Sequence, residues 1–483
     1  MSSEILVTST GLHALSYFIP VIFLSLVGFI ILAMGTRNTG KSIMSWITFF
    51  TLAVGGVLTY LLTPIGTSIF GGTLVFNSFG LYFALIMIIS SMFICYPALK
   101  GLTAKSEIFY ATLLFVTVGM ILAAFSYNLI TLFISFEAVS IGTYVLASFG
   151  KSRRNLEGTV KYFFTGTIAT AFILLGSSFF YLGTGTFNLS ILATSIATPE
   201  ISLALIFLIV GFGFKLAIFS MHQWAIDTYD GAENSVSAFL SAGSKVLAYV
   251  VILKVFLLGF SSDFKDVYYL FVILSILTMT YGNISALSQN NLKRLLAYSS
   301  VAQAGYLILV LAVVSSTGNI TSGVASLAIA SGMFYSLVYI FMKGGSFIAL
   351  NSVNHESVEL ADVSGLAKKS PALAVSFAIL LLALAGIPLT GGFFAKYLLF
   401  LSLIEGGLWW LAVIAILNSA ISVFYYFRVI MYMFGRNPVG DQEFDLTRSV
   451  KVPVYASATI TVVLSLMILW FPAVINIASG LFG

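Results

Sequence analysis

Residues 128–149 read NLITLFISFEAVSIGTYVLASF, an apolar run whose only ionisable acid or base is Glu137. As a helix rising about 1.5 Å per residue, it is long enough to cross the ~30 Å hydrocarbon core of a bilayer. Glu137 stands about ten residues from either end, too deep for its short side chain to reach water. An ionisable side chain at that depth costs about 2.5–3.5 kcal/mol even on lenient insertion scales, so it is expected to face a polar interior. The stretch therefore reads as a membrane helix that keeps an acid inside a bundle.

Working outward, similar runs recur from end to end, near 13–34, 43–62, 78–99, 107–124, 159–182, 201–222, 236–260, 268–288, 296–316, 322–349, 371–402, 408–432 and 453–479. With 128–149 they predict an all-α, polytopic transmembrane helical bundle of about 14 spans. Composition agrees: 59% of residues are hydrophobic and 8% charged, against roughly 25% charged in soluble domains. That excludes an ordinary soluble enzyme. The single cysteine, Cys95, excludes an internal disulfide framework and any cysteine-ligated cluster or zinc site. His13, His222 and His355 are too scattered in sequence to suggest a metal site. No basic segment precedes the first apolar run, so neither a cleavable signal nor a transit peptide is expected.

The formal charge of +5 resides mostly in short loops. Numbering loops by the span they follow, odd loops hold Arg37, Lys41, Lys100, Lys105, Lys151, Arg153, Arg154, Lys293, Arg294, Lys368, Lys369, Arg436, Arg448 and Lys451. Even loops hold Lys265 alone. The positive-inside rule places odd loops in the cytoplasm and both termini on the outer side. A basic patch for nucleic acid is not needed to explain the charge.

The remaining basic residues fall inside spans or at their margins. Lys215 and Lys396 each follow a glycine pair, in GFGFK and GGFFAK, where a helix can open. Span 12 is further interrupted by Gly386 and Pro388, and span 7 is followed by Asp227, Asp230 and Glu233, which are expected to leave the hydrocarbon. Interrupted helices at matching places in two halves point to a transport site, and a separation of five spans gives the opposite orientation of an inverted repeat. Two inverted five-helix repeats with broken helices in spans 7 and 12 are therefore expected, framed as residues 107–260 and 261–435. Residues 1–106 would supply three preceding spans, and 436–483 a cytoplasmic loop and the last span.

Burial disfavours the charged form of lysines and carboxylates and brings them toward the range where protons exchange. Glu137, Lys215, Lys245 and Lys396 are the candidate proton-transfer residues, with helix packing as the alternative for Glu137. Lys254 and Lys343 lie nearer span ends, where they either snorkel to the interface or serve as relays. Glu157 and Lys161 are spaced i,i+4, for a helix staple or for proton supply. His222 either relays protons or caps the break. Arg428 is expected at the cytoplasmic interface, and tyrosines and tryptophans near span ends read as belt residues.

Four stretches carry a resemblance. They are GFGFKLAIFSMHQWAIDTYDGAENSVSAFLS (211–241), ALSQNNLKRLLAYSSVAQAGYL (286–307), LAGIPLTGGFFAK (384–396) and YYFRV (425–429). Together they resemble the proton-pumping membrane subunits of NADH-quinone oxidoreductase (complex I) and the related F420H2 dehydrogenase. The DxYxGA element and YYFRV point to the N-type, antiporter-like subunit. Multisubunit cation/proton antiporters share the fold, and a subunit of such an antiporter without redox role is the alternative.

The resemblance implies a prokaryotic plasma (inner) membrane and coupling of electron transfer, to a quinone or phenazine, with proton pumping. It implies no cofactor in this chain, with flavin and iron-sulfur clusters on partner subunits. Partners would be other antiporter-like and small hydrophobic subunits, a peripheral redox arm and lipid, with no nucleic acid. It pairs Glu137 with Lys215, makes Lys245 the central lysine, and gives Lys396 proton exchange with the outside. Two departures stand out: Gln303 near a position commonly histidine, and Ala232-Glu233-Asn234 where prolines are usual.

Overall fold

The computed structural model describes residues 7–8, 16–35, 40–98, 105–150, 152–189, 198–260, 264–353, 357–435 and 444–482. His13, Arg37, Lys100, Lys151, His355 and Arg436 lie outside the described residues. The chain is a helical bundle. Its first helices are α1 (Ile19–Met34), α2 (Lys41–Leu62), α3 (Ser78–Cys95), α4 (Ser106–Phe125), α5 (Leu129–Ala147) and α6 (Arg153–Thr184). Then come α7 (Pro199–Leu216), α8 (Gln223–Gly231), α9 (Asn234–Ser241), α10 (Gly243–Gly259), α11 (Phe264–Leu287), α12 (Leu292–Thr317) and α13 (Gly323–Ala349). The last are α14 (Pro371–Ala385), α15 (Gly391–Glu405), α16 (Trp409–Gly435), α17 (Arg448–Leu466) and α18 (Phe471–Ser479).

Counting α9 with α10 and α17 with α18, twelve helices among the described residues are long and apolar enough to cross a membrane. The other two of the fourteen expected spans are shorter. The first is α1, and span 12 is divided into α14 and α15. Polar residues fix many of the helix starts. Asn77, Asn128, Ser152, Thr198, Asn291, Ser322 and Thr390 each accept a hydrogen bond from a backbone N–H of the following first turn.

Loop contacts sort by parity. Val7–Thr8 pairs with Thr67–Ile69, which pairs with Leu74–Phe76. Tyr127 N donates to Thr73 O, Leu129 N to Phe187 O and the Tyr127 hydroxyl to Leu481 O. These join the N-terminal segment, the even loops and the C-terminal segment. Odd loops bond among themselves: Leu292 N to Val358 O, Leu360 N to Asn290 O and Asp445 N to Ser352 O. The span order read from the sequence accounts for both sets.

Every residue of α10 is buried, and α12 is buried along nearly its whole length. Helices such as α1, α2, α6 and α16 instead turn large apolar side chains outward, among them Phe29, Phe50, Phe164 and Phe424. A bundle whose centre holds the lysine-bearing helices and whose rim is apolar is what lipid as solvent requires.

Candidate functional site

Both expected breaks exist. At the first, α7 ends at Leu216, Ala217 and Ser220 take left-handed φ values of 60° and 70°, and α8 resumes at Gln223. The Trp224 indole N–H donates to Phe214 O at 2.8 Å, a last-turn carbonyl that also accepts from Ala217 N at 2.9 Å. At the second, α14 ends on Gly386 (φ 85°), Leu389 has φ 72°, and α15 starts at Gly391. A third interruption, at Ala242 between α9 and α10, has no glycine or proline at its centre and was not foreseen.

Lys215 is fully buried. Its ammonium donates to the hydroxyls of Tyr162 (2.6 Å), Thr143 (2.9 Å) and Ser140 (3.4 Å). The Glu137 carboxylate is half-buried and accepts from the Thr170 hydroxyl at 2.9 Å. No ion pair of 4.0 Å or less joins the two: Glu137 is bonded to Thr170, and Lys215 to its three hydroxyls.

Lys245, Lys343 and Lys396 gather on α12. Lys245 donates to Ser300 O at 2.6 Å. Lys343 donates to Leu296 O at 2.5 Å and to the Ser299 hydroxyl at 2.8 Å. Lys396 donates to Leu384 O and Ala385 O, each at 3.0 Å, and to the Ser419 hydroxyl at 2.9 Å. The Gln303 amide donates to the same Leu384 O at 3.1 Å and accepts from the Tyr335 hydroxyl. Residues 296, 299, 300 and 303 recur at three- and four-residue spacing, one stripe of a helix. That stripe carries the partners of Lys245 and Lys343 and, through Gln303, reaches the carbonyl that holds Lys396. The Ser299 hydroxyl meets Tyr426, Ser300 meets Tyr339 at 2.9 Å, and Tyr425 donates to Asn283 at 3.0 Å.

Several expectations need correction. Lys254 and Lys343 do not snorkel; both are fully buried. Lys254 donates to the carbonyls of Ala123, Ala124 and Ser126 where α4 ends, with its ammonium 4.6 Å from the Tyr127 ring centroid. Nine residues at roughly 100° each turn it to the face of α10 opposite Lys245. A lysine at a helix C-terminus satisfies open carbonyls and the negative end of the dipole. Of the tyrosines nearer span ends, Tyr162, Tyr425 and Tyr426 are not belt residues but buried ones, and the mid-span Tyr306, Tyr335 and Tyr339 are buried with them. Hydropathy counts a tyrosine without knowing which face it occupies. Arg428 donates to Gln289 O, which ties α16 to the start of α12.

His222 is buried, packs on Tyr281 with ring centroids 4.5 Å apart, and has a buried Nδ1 without a protein partner. Glu157 and Lys161 do pair, at 2.6 Å, and Lys161 also reaches Asp227 at 2.7 Å. Asp227, outside the spans, additionally accepts from Arg294 at 3.1 Å. Burial pushes the Asp227 carboxyl up, but the hydrogen bonds from Lys161 and Arg294 outweigh it and hold the group below its ordinary value. Among the described residues, no group of three or more His, Cys, Asp or Glu side chains is arranged to hold a metal ion.

Residues 126–422 match the family model described as NADH:quinone oxidoreductase/Mrp antiporter, TM. The chain is 36% identical, over 95% of its length and 96% of the relative's, to F(420)H(2) dehydrogenase subunit N of Methanosarcina mazei. It is 34% identical to NADH-quinone oxidoreductase subunit N of Trichlorobacter lovleyi, over 89% of each chain. A chain of respiratory complex I from Thermus thermophilus superposes with a TM-score of 0.81 at 28% identity, covering 94% of this chain and 99% of that one. A match across more than half the chain, with relatives this similar over nearly their full length, establishes that the chain belongs to the NADH:quinone oxidoreductase/Mrp antiporter transmembrane family.

Proposed function

We propose that this chain is the proton-translocating membrane subunit of a complex-I-like dehydrogenase, coupling electron transfer to a quinone or phenazine with proton pumping. The observation that carries the reading is the buried polar row along α12, which gathers Lys245, Lys343 and the Lys396 carbonyl network inside an otherwise apolar bundle. Buried ammonium groups are expensive to keep, and several linked ones suit a path for protons. Relatives called subunit N in both an F420H2 dehydrogenase and an NADH-quinone oxidoreductase support the redox-driven assignment over a stand-alone antiporter.

Glu137, Lys215, Lys245 and Lys396 carry the protons in this reading. Residues 107–260 form one repeat around the Lys215 break, and 261–435 form the second around the Lys396 break. The mechanism is electrostatic. A positive charge arriving near one buried lysine disfavours its charged form, and the released proton passes to the next group. Hydroxyls serve Lys215 as partners because they accept and donate alike. Flavin and iron-sulfur clusters belong to partner subunits, and the complex sits in a prokaryotic plasma membrane with both termini outside.

The test is proton pumping by the assembled complex in proteoliposomes, with Lys215→Ala and Glu137→Ala. Both are expected to lower pumping and coupled electron transfer while assembly persists. Unchanged pumping in a correctly assembled complex would sink both assignments. Mass spectrometry of the native complex decides the redox role, since only further small hydrophobic subunits would leave an antiporter.

A further inference from the structure

The helix after the first break, α8, touches both halves through one carboxylate. Asp227 Oδ2 lies 2.7 Å from Lys161 Nζ on α6, and Asp227 Oδ1 lies 3.1 Å from Arg294 Nη1 at the start of α12. Asp230 repeats the pattern one turn on, 3.6 Å from Arg294 and 4.0 Å from Arg154, and accepts from Asn291 at 3.1 Å. Asp227, Asp230, Arg154, Asn291 and Arg294 line a cavity of about 310 Å³. Below it α8 rides directly on α6: a Cβ on Gly158 would meet Asp227 O at 2.5 Å, and one on Gly231 would meet Arg154 O at 2.6 Å.

The two helices then form a second rung. Trp224, three residues before Asp227 and so on the same face, stacks on Tyr162 at 4.3 Å and 11°. Tyr162 is the neighbour of Lys161, and its hydroxyl is 2.6 Å from Lys215. Any shift of α8 along α6 therefore reaches the hydroxyl that faces Lys215. Arg294, on the other side of Asp227, opens the helix that presents Ser300 to Lys245, Ser299 to Lys343 and Gln303 to the Leu384 carbonyl that holds Lys396.

We propose that Asp227 is the positioning residue that couples the two halves. By sharing its carboxylate between Lys161 and Arg294, it sets α8 and, through Trp224 and Tyr162, the geometry at Lys215. Lys161, Asp227 and Arg294 are only partly buried, where ion pairs stabilise little. A register between helices accounts for their arrangement better than stability does. The proposal rests on the proton-path reading above.

The test uses the whole complex in proteoliposomes, scoring protons moved per electron. Asp227→Asn should assemble and lose about twofold or more of that ratio, as for members of one ion-pair network, with Asp227→Glu recovering part. Lys161→Gln and Arg294→Gln should each lower the ratio, and the double variant should be no worse than the poorer single, because both act through Asp227. A full ratio in assembled Asp227→Asn, or single-variant losses that multiply, would overturn the proposal. Should Asp227→Asn fail to assemble, the Lys161 and Arg294 cycle decides alone. Lys215→Ala runs beside them, and normal pumping there would remove the proton path itself rather than the coupling.

Discussion

The two breaks each present a lysine, and they hold it in different ways. Lys215 reaches hydroxyls on two other helices and touches no backbone acceptor. Lys396 reaches back to the last carbonyls of α14, the helix whose ending creates its own break, and adds one hydroxyl. At the first break no lysine does this: Phe214 O accepts from the Ala217 N–H and the Trp224 indole. A carbonyl only accepts, whereas a hydroxyl accepts and donates. Lys215 is thus surrounded by groups that can reorient and pass a proton. Lys396 is also the cap that keeps its helix end closed, at the negative pole of the α14 dipole. Similar sequence signals have produced one lysine separable from its scaffold and one that belongs to it.

The sharpest way to break this comparison is to fill the glycines. A Cβ on Gly392 would lie 2.0 Å from Ala383 O and 2.7 Å from Ala383 C, both backbone. A Cβ on Gly213 would meet the end of the Ile218 side chain at 2.4 Å, which can turn away. Gly392→Ala is expected to destabilise by about 3 kcal/mol or more, the upper range for overpacking. Gly213→Ala should cost about 1 kcal/mol, an ordinary substitution. The yield and thermal inactivation of intact complex measure both. Equal tolerance would mean that the second break is no tighter than the first.

Removing the lysines is the next test. In Lys396→Ala, Leu384 O keeps Gln303 and Ala385 O keeps Ser419, so only the charge-assisted bonds disappear. In Lys215→Ala, Thr143 and Ser140 still donate to their own helix and Tyr162 still meets Thr143 at 3.0 Å. Lys396→Ala should still destabilise the complex by about 1 kcal/mol more than Lys215→Ala, because only Lys396 donates to the carbonyls at a helix C-terminus, where a cation meets the negative pole. Thermal inactivation of the solubilised complex ranks the two, and the reverse order would refute the capping role of Lys396.

Much of this was legible before any coordinates. Apolar run length finds the spans because the bilayer sets a length scale, and charge asymmetry sorts the loops because the same rule acts at every crossing. Gly-Phe-Gly-Phe-Lys and Gly-Gly-Phe-Phe-Ala-Lys announce the breaks, since glycines before a buried charge have few other uses. The partners were not legible. Tyr162 and Trp224 complete the Lys215 site from other segments, and nothing in a linear apolar run says which side of α6 faces α8. For the same reason Lys254 looked able to reach the interface, although α4 and the residues after it close over it. Asp227 was visible as a charge expected to leave the hydrocarbon and as the first residue of the DxYxGA element, but its partners were not; its two cations come from Lys161 and Arg294, far away in sequence.

The finest test exchanges single hydroxyls at the two lysines. Tyr162→Phe keeps the ring stacked on Trp224 and removes the donor and acceptor 2.6 Å from Lys215. Lys215 is then left with Thr143 at 2.9 Å and a long contact to Ser140. Losing one bond to a charged group, about 1.5 kcal/mol, should slow a step that depends on it by about tenfold. Ser419→Ala leaves Lys396 with both α14 carbonyls, so its cap persists and pumping should fall by no more than about threefold, a loss under 1 kcal/mol. Pumping rates of the two assembled variants settle the ranking. If Ser419→Ala proves the more damaging, the proton leaves Lys396 through that one hydroxyl, and the carbonyls that distinguish the second break serve only to hold the lysine in place.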